Sequence, residues 1–413
     1  MTTTSIPTAP LGTLDEPRLL AAGPQARLAE HLSAFGPLPK ATKDRWILAE
    51  WELSNLAGRG GGAFPTSQKI AAVLRSVART GRAPVVIGNG SEGEPLSHKD
   101  RMMLTHAPHL VLDGLALTAR IIGANESYLV AEAVDHPLLK QALAERGDTQ
   151  VELHASEDHF LAGQATAVLS SLEGGASLPQ NPRWHLSDLG LGGAPTLLLN
   201  VETLAHLALI ARYSAMWFRT VGTNKDPGSR LLTVHDQGQY QVVEVHGGCT
   251  LDLVLDQLGI NPHSAQAVLV GGFHGTWSRN LSTRLVTDIN KYPGTETMTA
   301  GAGVIELLPH GNCPLVRTAE IVNYLAKSSA GQCGPCVHGL PTLARDMHAL
   351  ATLSEDFELP ERIARLSSLV TGRGACHHPD ATARLALSSL QIFDDELTAH
   401  LNGTCLHTSE MHS

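Results

Sequence analysis

Residues 58–69 read Gly58-Arg59-Gly60-Gly61-Gly62-Ala63-Phe64-Pro65-Thr66-Ser67-Gln68-Lys69. Four glycines remove Cβ atoms, so backbone N–H groups can close on a ligand in conformations other residues avoid. Successive exposed N–H groups form a concavity suited to an anion such as phosphate. Arg59 and Lys69 add positive charge, and Phe64 offers a flat face for stacking. A flexible linker would show Ser/Gly repeats without an embedded Arg, Phe, Pro and Lys. Apolar residues at helical spacing follow over Lys69–Thr80, and a loop leading into a helix N-terminus is the order an anion site needs.

Outward from that loop, strands and helices alternate. Pro84–Ile87, Ser127–Val130 and Gln150–His154 read as strands. Trp46–Leu53, Pro108–Ile122, Pro137–Arg146 and the end of Phe160–Leu172 read as helices. This alternation predicts a mainly parallel sheet with flanking helices. The first strand runs into Asn89-Gly90-Ser91-Glu92-Gly93-Glu94, small polar residues where open α/β sheets bind ligands. In an extended loop Glu92 and Glu94 can face one cavity. Asn200 precedes a helix in N-cap position. Gly174–Pro195 is a long Gly/Pro-rich connection. Near Pro227 the pattern changes to short β segments, and from Val316 it turns helical. Residues 1–40 read as an irregular arm.

The chain has 413 residues and a net charge of −10. That length suits two to three domains, and that charge argues against nucleic acid as a partner. The N-terminus lacks a basic, apolar leader, and no apolar run is long enough to span a bilayer. A cytoplasmic location without direct membrane insertion is expected. Six cysteines there argue against a disulfide framework. Cys333-x-x-Cys336 with the distant Cys376 suits an iron–sulfur cluster or zinc. His338, His377 and His378 adjoin these cysteines, and imidazole replaces thiolate at some iron–sulfur sites. Cys249, Cys313 and Cys405 stand alone and read as buried thiols.

Taken together, the motifs resemble the family of NADH-binding flavoprotein subunits of respiratory complex I and NAD-linked hydrogenases. Gly58–Lys69 is similar to that family's Gly-Arg-Gly-Gly-Ala-Gly-Phe-Pro-Thr loop, with Gly62 and Ala63 in swapped order. Asn89–Asp100 is similar to its Asn-x-Asp-Glu-Gly-Glu-Pro segment, with Ser91 for the Asp. Asn200-Val201-Glu202-Thr203 matches its Asn-Val-Glu-Thr, and Gly331–Cys336 with Cys376 its cluster-binding bundle. The order is collinear from about residue 46 to 400.

The resemblance implies a Rossmann-like FMN-binding domain over 46–226 after an N-terminal arm (1–45). A β-grasp-like (soluble-ligand-binding) module over 227–300 and a helical iron–sulfur domain over 301–413 follow. It implies FMN held by Gly58, Arg59, Gly60, Gly61, Gly62, Phe64, Lys69, Asn89, Ser91, Glu92, Glu94, Gly163, Asn200 and Thr203. Phe64 and Lys69 are also dinucleotide contacts, with NAD(H) the candidate. Cys333, Cys336 and Cys376 would hold a cluster. The family's first cysteine is Ala330 here, which leaves a [3Fe–4S] cluster, a [4Fe–4S] cluster with a non-Cys fourth ligand, or a lost cluster. Partners implied are a ferredoxin or a thioredoxin-like iron–sulfur subunit. The family's Gly-Glu-Glu-Thr reads Gly163-Gln164-Ala165-Thr166, which removes carboxylate acceptors worth on the order of 1 kcal/mol each. Its Pro-Arg pair is matched by Pro182-Arg183, followed by Trp184-His185-Leu186-Ser187. The contrasting expectation is a scaffold without redox function that binds a ligand or partner through the β module. A zinc-stabilised binding protein is a third.

Overall fold

A computed structural model describes residues 13–147, 150–181, 184–292 and 296–407. The Pro182-Arg183 pair lies outside them.

The arm carries a helix, α1 (Leu28–Phe35), against the expectation of an irregular segment. His31 and Phe35, four apart, fall on one face and are buried, which is the helical spacing a core contact needs. His31 Nε2 meets the Asp113 carboxylate at 2.7 Å. Arg146 and Arg212 also engage Asp113. Burial opposes ionisation of Asp113, yet the His31 hydrogen bond and the two guanidinium groups hold its carboxyl down at about 2.

Next come α2 (Asp44–Ser54), the Gly-rich loop and α3 (Thr66–Thr80). Then β1 (Val85–Asn89), α4 (Lys99–His106), α5 (Pro108–Ile122), β2 (Glu126–Glu132), α6 (His136–Arg146), β3 (Val151–Ser156), α7 (Ala165–Leu172), β4 (Thr196–Asn200) and α8 (Val201–Phe218) follow. The four strands form a parallel sheet in the order β3-β2-β1-β4. All five residues of β1 are buried, as expected of a strand covered on both faces. The register pairs Asn89 with Asn200, so both Asn side chains emerge at the carboxyl edge.

A second sheet is mixed. Its strands are β5 (Ser229–Asp236), β6 (Gln239–His246), β7 (Ala265–Val270), β8 (Thr276–Ser278) and, after a two-stranded pair of β9 (Arg284–Val286) and β10 (Thr297–Thr299), β11 (Val304–Pro309). The order is β6-β5-β11-β7-β8, with α9 (Leu251–Gln257) lying between β6 and β7 in the chain. The central strand of this sheet, β11, lies past residue 300, in the stretch that the sequence assigned to the helical part. Five helices follow among the described residues: α10 (Pro314–Lys327), α11 (Leu340–Ala351), α12 (Leu359–Val370), α13 (His378–Ile392) and α14 (Asp394–Leu401). They bury Leu315, Leu343, Met347, Ile363, Leu385 and Phe393 in one core that also takes Trp277 and Leu308 from the second sheet. Among the described residues no helix is long and apolar enough to cross a membrane.

Candidate cofactor sites

The Gly-rich loop is closed at its base. Gly58 N donates to Phe64 O at 2.9 Å and Thr66 N to Leu56 O at 2.9 Å, and Ala57 bridges Pro65. Its tip meets the strand ends: a Cβ on Gly60 would stand 3.2 Å from the Asn200 Cβ. Arg59 N donates to the buried Thr203 Oγ1 at 2.9 Å. Asn89 Nδ2 donates to Gly163 O at 2.8 Å, and Ser91 N donates to Asn89 Oδ1 at 3.1 Å. A Cβ on Gly163 would stand 2.9 Å from Ser91 O. Gly60, Asn200, Asn89, Gly163 and Ser91 thus form one continuous wall at the carboxyl edge of the first sheet.

Ala63 sits in the left-handed region at φ 51°, where the family's motif carries glycine. An L-residue there costs about 1–2 kcal/mol, part of which glycine returns through its freer unfolded chain. Ala63→Gly is therefore expected to raise stability by about 0.5–1 kcal/mol, read as a higher thermal midpoint. An unchanged or lower midpoint would mean that the loop is not strained at this residue.

The loop has a cavity on each side. One, of about 390 Å³, is lined by Gly58, Gly61, Ala63, Lys99, Glu202 and Arg230 among others. The other, of about 820 Å³, lies against Phe64, Lys69, Ala165, His185 and Leu198. Phe64 is 49% exposed, and the Lys69 ammonium lies 6.0 Å from its ring centroid. Burial pushes the Lys69 ammonium below its ordinary value. Gln164 caps α7, its Oε1 accepting from Thr166 N at 2.9 Å, so its amide is used locally.

Several charged residues serve the frame. The Arg59 guanidinium is buried and donates to Pro227 O at 3.3 Å and Ser229 O at 2.9 Å. Burial, reinforced by Arg230, lowers it to about 10 against the pull of Asp226 and Glu202. Its side chain thus ties the loop to the second sheet, while its backbone N–H faces Thr203. The Glu92 carboxylate accepts from Asp100 N at 3.0 Å and Arg101 N at 3.1 Å, which caps α4. Lys99 Nζ sits between Asp100 (2.6 Å) and Glu202 (3.0 Å), all buried. Asn200 Nδ2 donates to Asp100 at 2.6 Å, which fixes the amide while its oxygen accepts from Glu202 N at 3.0 Å.

Glu94 leaves the loop for the second sheet, where Oε2 accepts from Phe273 N at 2.9 Å. Burial raises it from 4.5 to about 7, against the hydrogen bonds from Phe273 and Leu96. The folded chain therefore holds this proton across pH 4.5–7 while the unfolded chain has lost it, so stability falls as pH rises through that window. Glu94→Gln keeps an acceptor for Phe273 N and removes the ionisation. It should stabilise the protein at about pH 8 by up to about 3 kcal/mol and change little at about pH 4.5. Urea unfolding at the two pH values checks this, and an equal effect at both would contradict it.

The wall fits FMN. Ser91 Oγ and Thr66 Oγ1 are buried without a hydrogen-bond partner among the described residues, and no side chain caps the first turn of α3. Polar groups of this kind suit hydroxyls and a phosphate.

The cysteine site lies in the helical part. Cys333 Sγ and Cys336 Sγ are 3.5 Å apart on a turn that enters a π-helical stretch, Pro335–Gly339. Cys376 is close enough to interact electrostatically with Cys336. Backbone N–H groups of Ala375 and Cys336 point at the Cys333 sulfur, that of Gly331 at Cys336 and that of His378 at Cys376. Burial opposes ionisation of Cys333, but these donors hold its thiol below the ordinary value. Three converging sulfurs with amide donors fit an iron–sulfur cluster. Of the imidazoles expected nearby, His378 has both ring nitrogens engaged, with Leu325 O at 2.8 Å and His274 Nε2 at 2.9 Å. His377 is exposed and meets Asp380 at 3.3 Å. His338 is exposed on the π turn.

A packed ring cluster with no signature in the sequence joins the loop before Gly163 to the segment after Cys376. Phe160 meets His274 at 4.6 Å and His378 at 5.6 Å between centroids. Phe160 belongs to the loop that ends at Gly163, and His378 follows closely on Cys376 in the chain. Burial and its neighbour His378 keep His274 well below its ordinary value, so it is neutral at about pH 7.

Two family models match. One, the Nuo51 FMN-binding domain, covers residues 52–209. The other, the NADH-ubiquinone oxidoreductase-F iron-sulfur binding region, covers 317–400. Together they span more than half of the chain, the first containing the wall and the second the three cysteines.

The chain belongs to the family of NADH-binding flavoprotein subunits.

This flavoprotein subunit is 27% identical over 369 residues to the F 2 subunit of NADH-quinone oxidoreductase from Rhizobium meliloti, covering 84% of this chain and 87% of that one. It is 28% identical over 380 residues to the F subunit of NADH-quinone oxidoreductase from Mycobacterium bovis, covering 85% and 83%. Among solved structures it resembles an NAD+-reducing [NiFe]-hydrogenase in the H2-reduced state, at a TM-score of 0.78 and 26% identity. That match covers 88% of this chain and 63% of the hydrogenase chain.

Proposed function

We propose that this flavoprotein subunit passes electrons between NAD(P)H and an iron–sulfur carrier protein, using FMN and its own iron–sulfur cluster. The observation that carries this reading is that one chain presents both walls: the Gly60–Asn200–Asn89–Gly163 edge and the Cys333–Cys336–Cys376 cluster site. FMN supplies the conversion between a two-electron hydride donor and one-electron carriers. Gly60 and Gly163 let the loops close against the strand ends, Asn89 and Asn200 hold that edge in place with their amides, and Ser91 and Thr66 offer the flavin free hydroxyls. Phe64 and Lys69 receive the dinucleotide in the larger cavity. Phe160, His274 and His378 join the loop before Gly163 to the segment after Cys376 with packed rings and exclude water.

The three-part domain reading goes with this: a Rossmann-like FMN domain, a β-grasp-like module whose sheet includes β11, and the helical cluster domain. A ferredoxin or a thioredoxin-like iron–sulfur subunit is the partner.

The lining of the larger cavity bears on the dinucleotide. It includes Lys69, Arg75 and Arg79 against the single carboxylate of Asp188, which pairs with Arg79. Ala165 stands there in place of a carboxylate. This positive balance favours a donor with an added 2′-phosphate. Anaerobic stopped-flow reduction of the flavin tests it: NADPH should reduce at least as fast as NADH at equal concentration. A preference of about tenfold or more for NADH, about 1.4 kcal/mol, would refute the NADPH reading and leave the electron-transfer reading standing. For the cluster, Ala330→Cys supplies the family's missing thiolate and should raise bound iron towards about four per chain. Unchanged iron content would show that a fourth ligand is already in place.

A further inference from the structure

Two of the cysteines that stand alone in the sequence do not stand alone in the fold. Cys313 precedes α10 as its N-cap residue and makes no cap hydrogen bond there. Cys405 lies just past α14, which carries Glu396 and His400 four residues apart on one face. One ligand atom from each of Cys313, Glu396, His400 and Cys405 lies within 4.8 Å of all the others. Cys313 Sγ is 3.4 Å from both Glu396 Oε1 and His400 Nε2. Cys405 Sγ is 3.0 Å from Glu396 Oε1, and His400 Nε2 is 2.9 Å from it. A zinc tetrahedron with bonds of about 2.0–2.3 Å has edges of about 3.3–3.8 Å, so only small adjustments separate the four atoms from that geometry.

We propose that Cys313, Glu396, His400 and Cys405 form a structural zinc site, separate from the iron–sulfur cluster.

Two further observations point the same way. His400 Nδ1 lies 2.9 Å from Leu350 O. A carbonyl only accepts, so Nδ1 carries a proton and Nε2 is the nitrogen turned on the other three groups. Metal-binding histidines are oriented in this manner. Glu396 is fully buried, and its Oε2 has no hydrogen-bond partner among the described residues. Lone pairs from a carboxylate and an imidazole facing each other at 2.9 Å require a cation or a proton between them. Two thiols beside them make a borderline-soft divalent ion the matching occupant. Binding releases the thiol protons of Cys313 and Cys405 to solvent, so zinc is held by two thiolates, one carboxylate and one neutral imidazole. His407 closes the outer side, with Nδ1 at 2.8 Å from His310 O and Nε2 at 3.5 Å from Glu396 Oε2.

The site lies at the opposite end of α10 from the cluster loop. That helix has 14 residues, which is about 20 Å. Zinc there joins the start of α10, the end of α11 through His400, α14 and the tail after it. All four positions being protein ligands, the ion would hold structure and leave no place for substrate.

Elemental analysis of the full chain, purified anaerobically from zinc-supplemented growth, tests this. One zinc per chain is expected beside the iron. Cys313→Ala/Cys405→Ala should lose that zinc and keep FMN and iron, while Cys336→Ser should lose iron and keep zinc. Unsubstituted protein loaded with cobalt(II) should show the sulfur-to-cobalt charge-transfer bands of a tetrahedral thiolate site, a readout that needs no variant to fold. Absence of zinc and of those bands, zinc retained by the double variant, iron in place of zinc at these residues, or a Cys313–Cys405 disulfide in the anaerobic protein would each overturn the proposal.

Discussion

Gly93→Ala should leave a folded chain holding less than about a tenth of the FMN bound by the unsubstituted protein. A Cβ at this position would lie 2.4 Å from Phe160 O and 2.8 Å from His159 O. Both are backbone atoms, so no side chain can turn aside. The Ser91–Pro95 segment must move away from the Phe160–Gly163 loop, at a cost of about 1–3 kcal/mol for forced overpacking. That separation breaks the wall: it draws Ser91 from Gly163 and loosens the Asn89 to Gly163 hydrogen bond. A thermal midpoint lowered by several degrees, with the circular dichroism of the folded chain retained, should accompany the loss of flavin. Flavin released by heat and measured by fluorescence reads the occupancy. Gly311→Ala is the matched control, because nothing lies within 4 Å of its built Cβ. Full flavin occupancy in Gly93→Ala would mean that the wall does not bind the cofactor.

Cys336→Ser should separate the two halves of the reaction. Cys336 is buried in contact with Cys333 and within electrostatic reach of Cys376. With only three cysteines at the site, losing one leaves two thiolates, too few to retain a cluster of three or four irons. Iron and sulfide should fall below about a tenth of their normal content while FMN stays bound. Reduction of ferricyanide, a small oxidant that can take electrons at the flavin, should change less than about threefold. Reduction of an iron–sulfur carrier protein should fall at least about a hundredfold. Equal losses in both assays would place the cysteine in the fold alone, and no loss in either would remove the cluster from the path.

The Gly-rich loop is legible in the sequence because its glycines, aromatic and lysine cannot be confused with a linker, and the strand–helix alternation follows from periodicity. Other features are hidden for physical reasons. The strand Thr196–Asn200 runs without a break into α8, so its apolar residues merge with the helix that follows. The helix Leu28–Phe35 lies in a Pro/Ala-rich arm whose composition masks a single buried face. Charge is visible in sequence but direction is not: Arg59 turns its guanidinium to the carbonyls of Pro227 and Ser229, and Glu92 caps a helix. Nothing local distinguishes such a group from one aimed at a ligand. Cys313 and Cys405 meet only because α10 and α14 pack together, so their spacing carries no signal. His274 likewise joins the ring cluster only through tertiary packing.

The central claim is that FMN and an iron–sulfur cluster on one chain act in series. The most direct measurement is anaerobic titration of purified, full-length protein with NADPH, and separately with NADH, followed by optical and electron paramagnetic resonance spectroscopy. The account predicts about one FMN and about three to four irons with matching sulfide per chain. It also predicts flavin bleaching by at least one of the two dinucleotides, accompanied by a change in the cluster signal. A colourless protein, or a flavin that is reduced while an intact cluster stays unchanged, would contradict it.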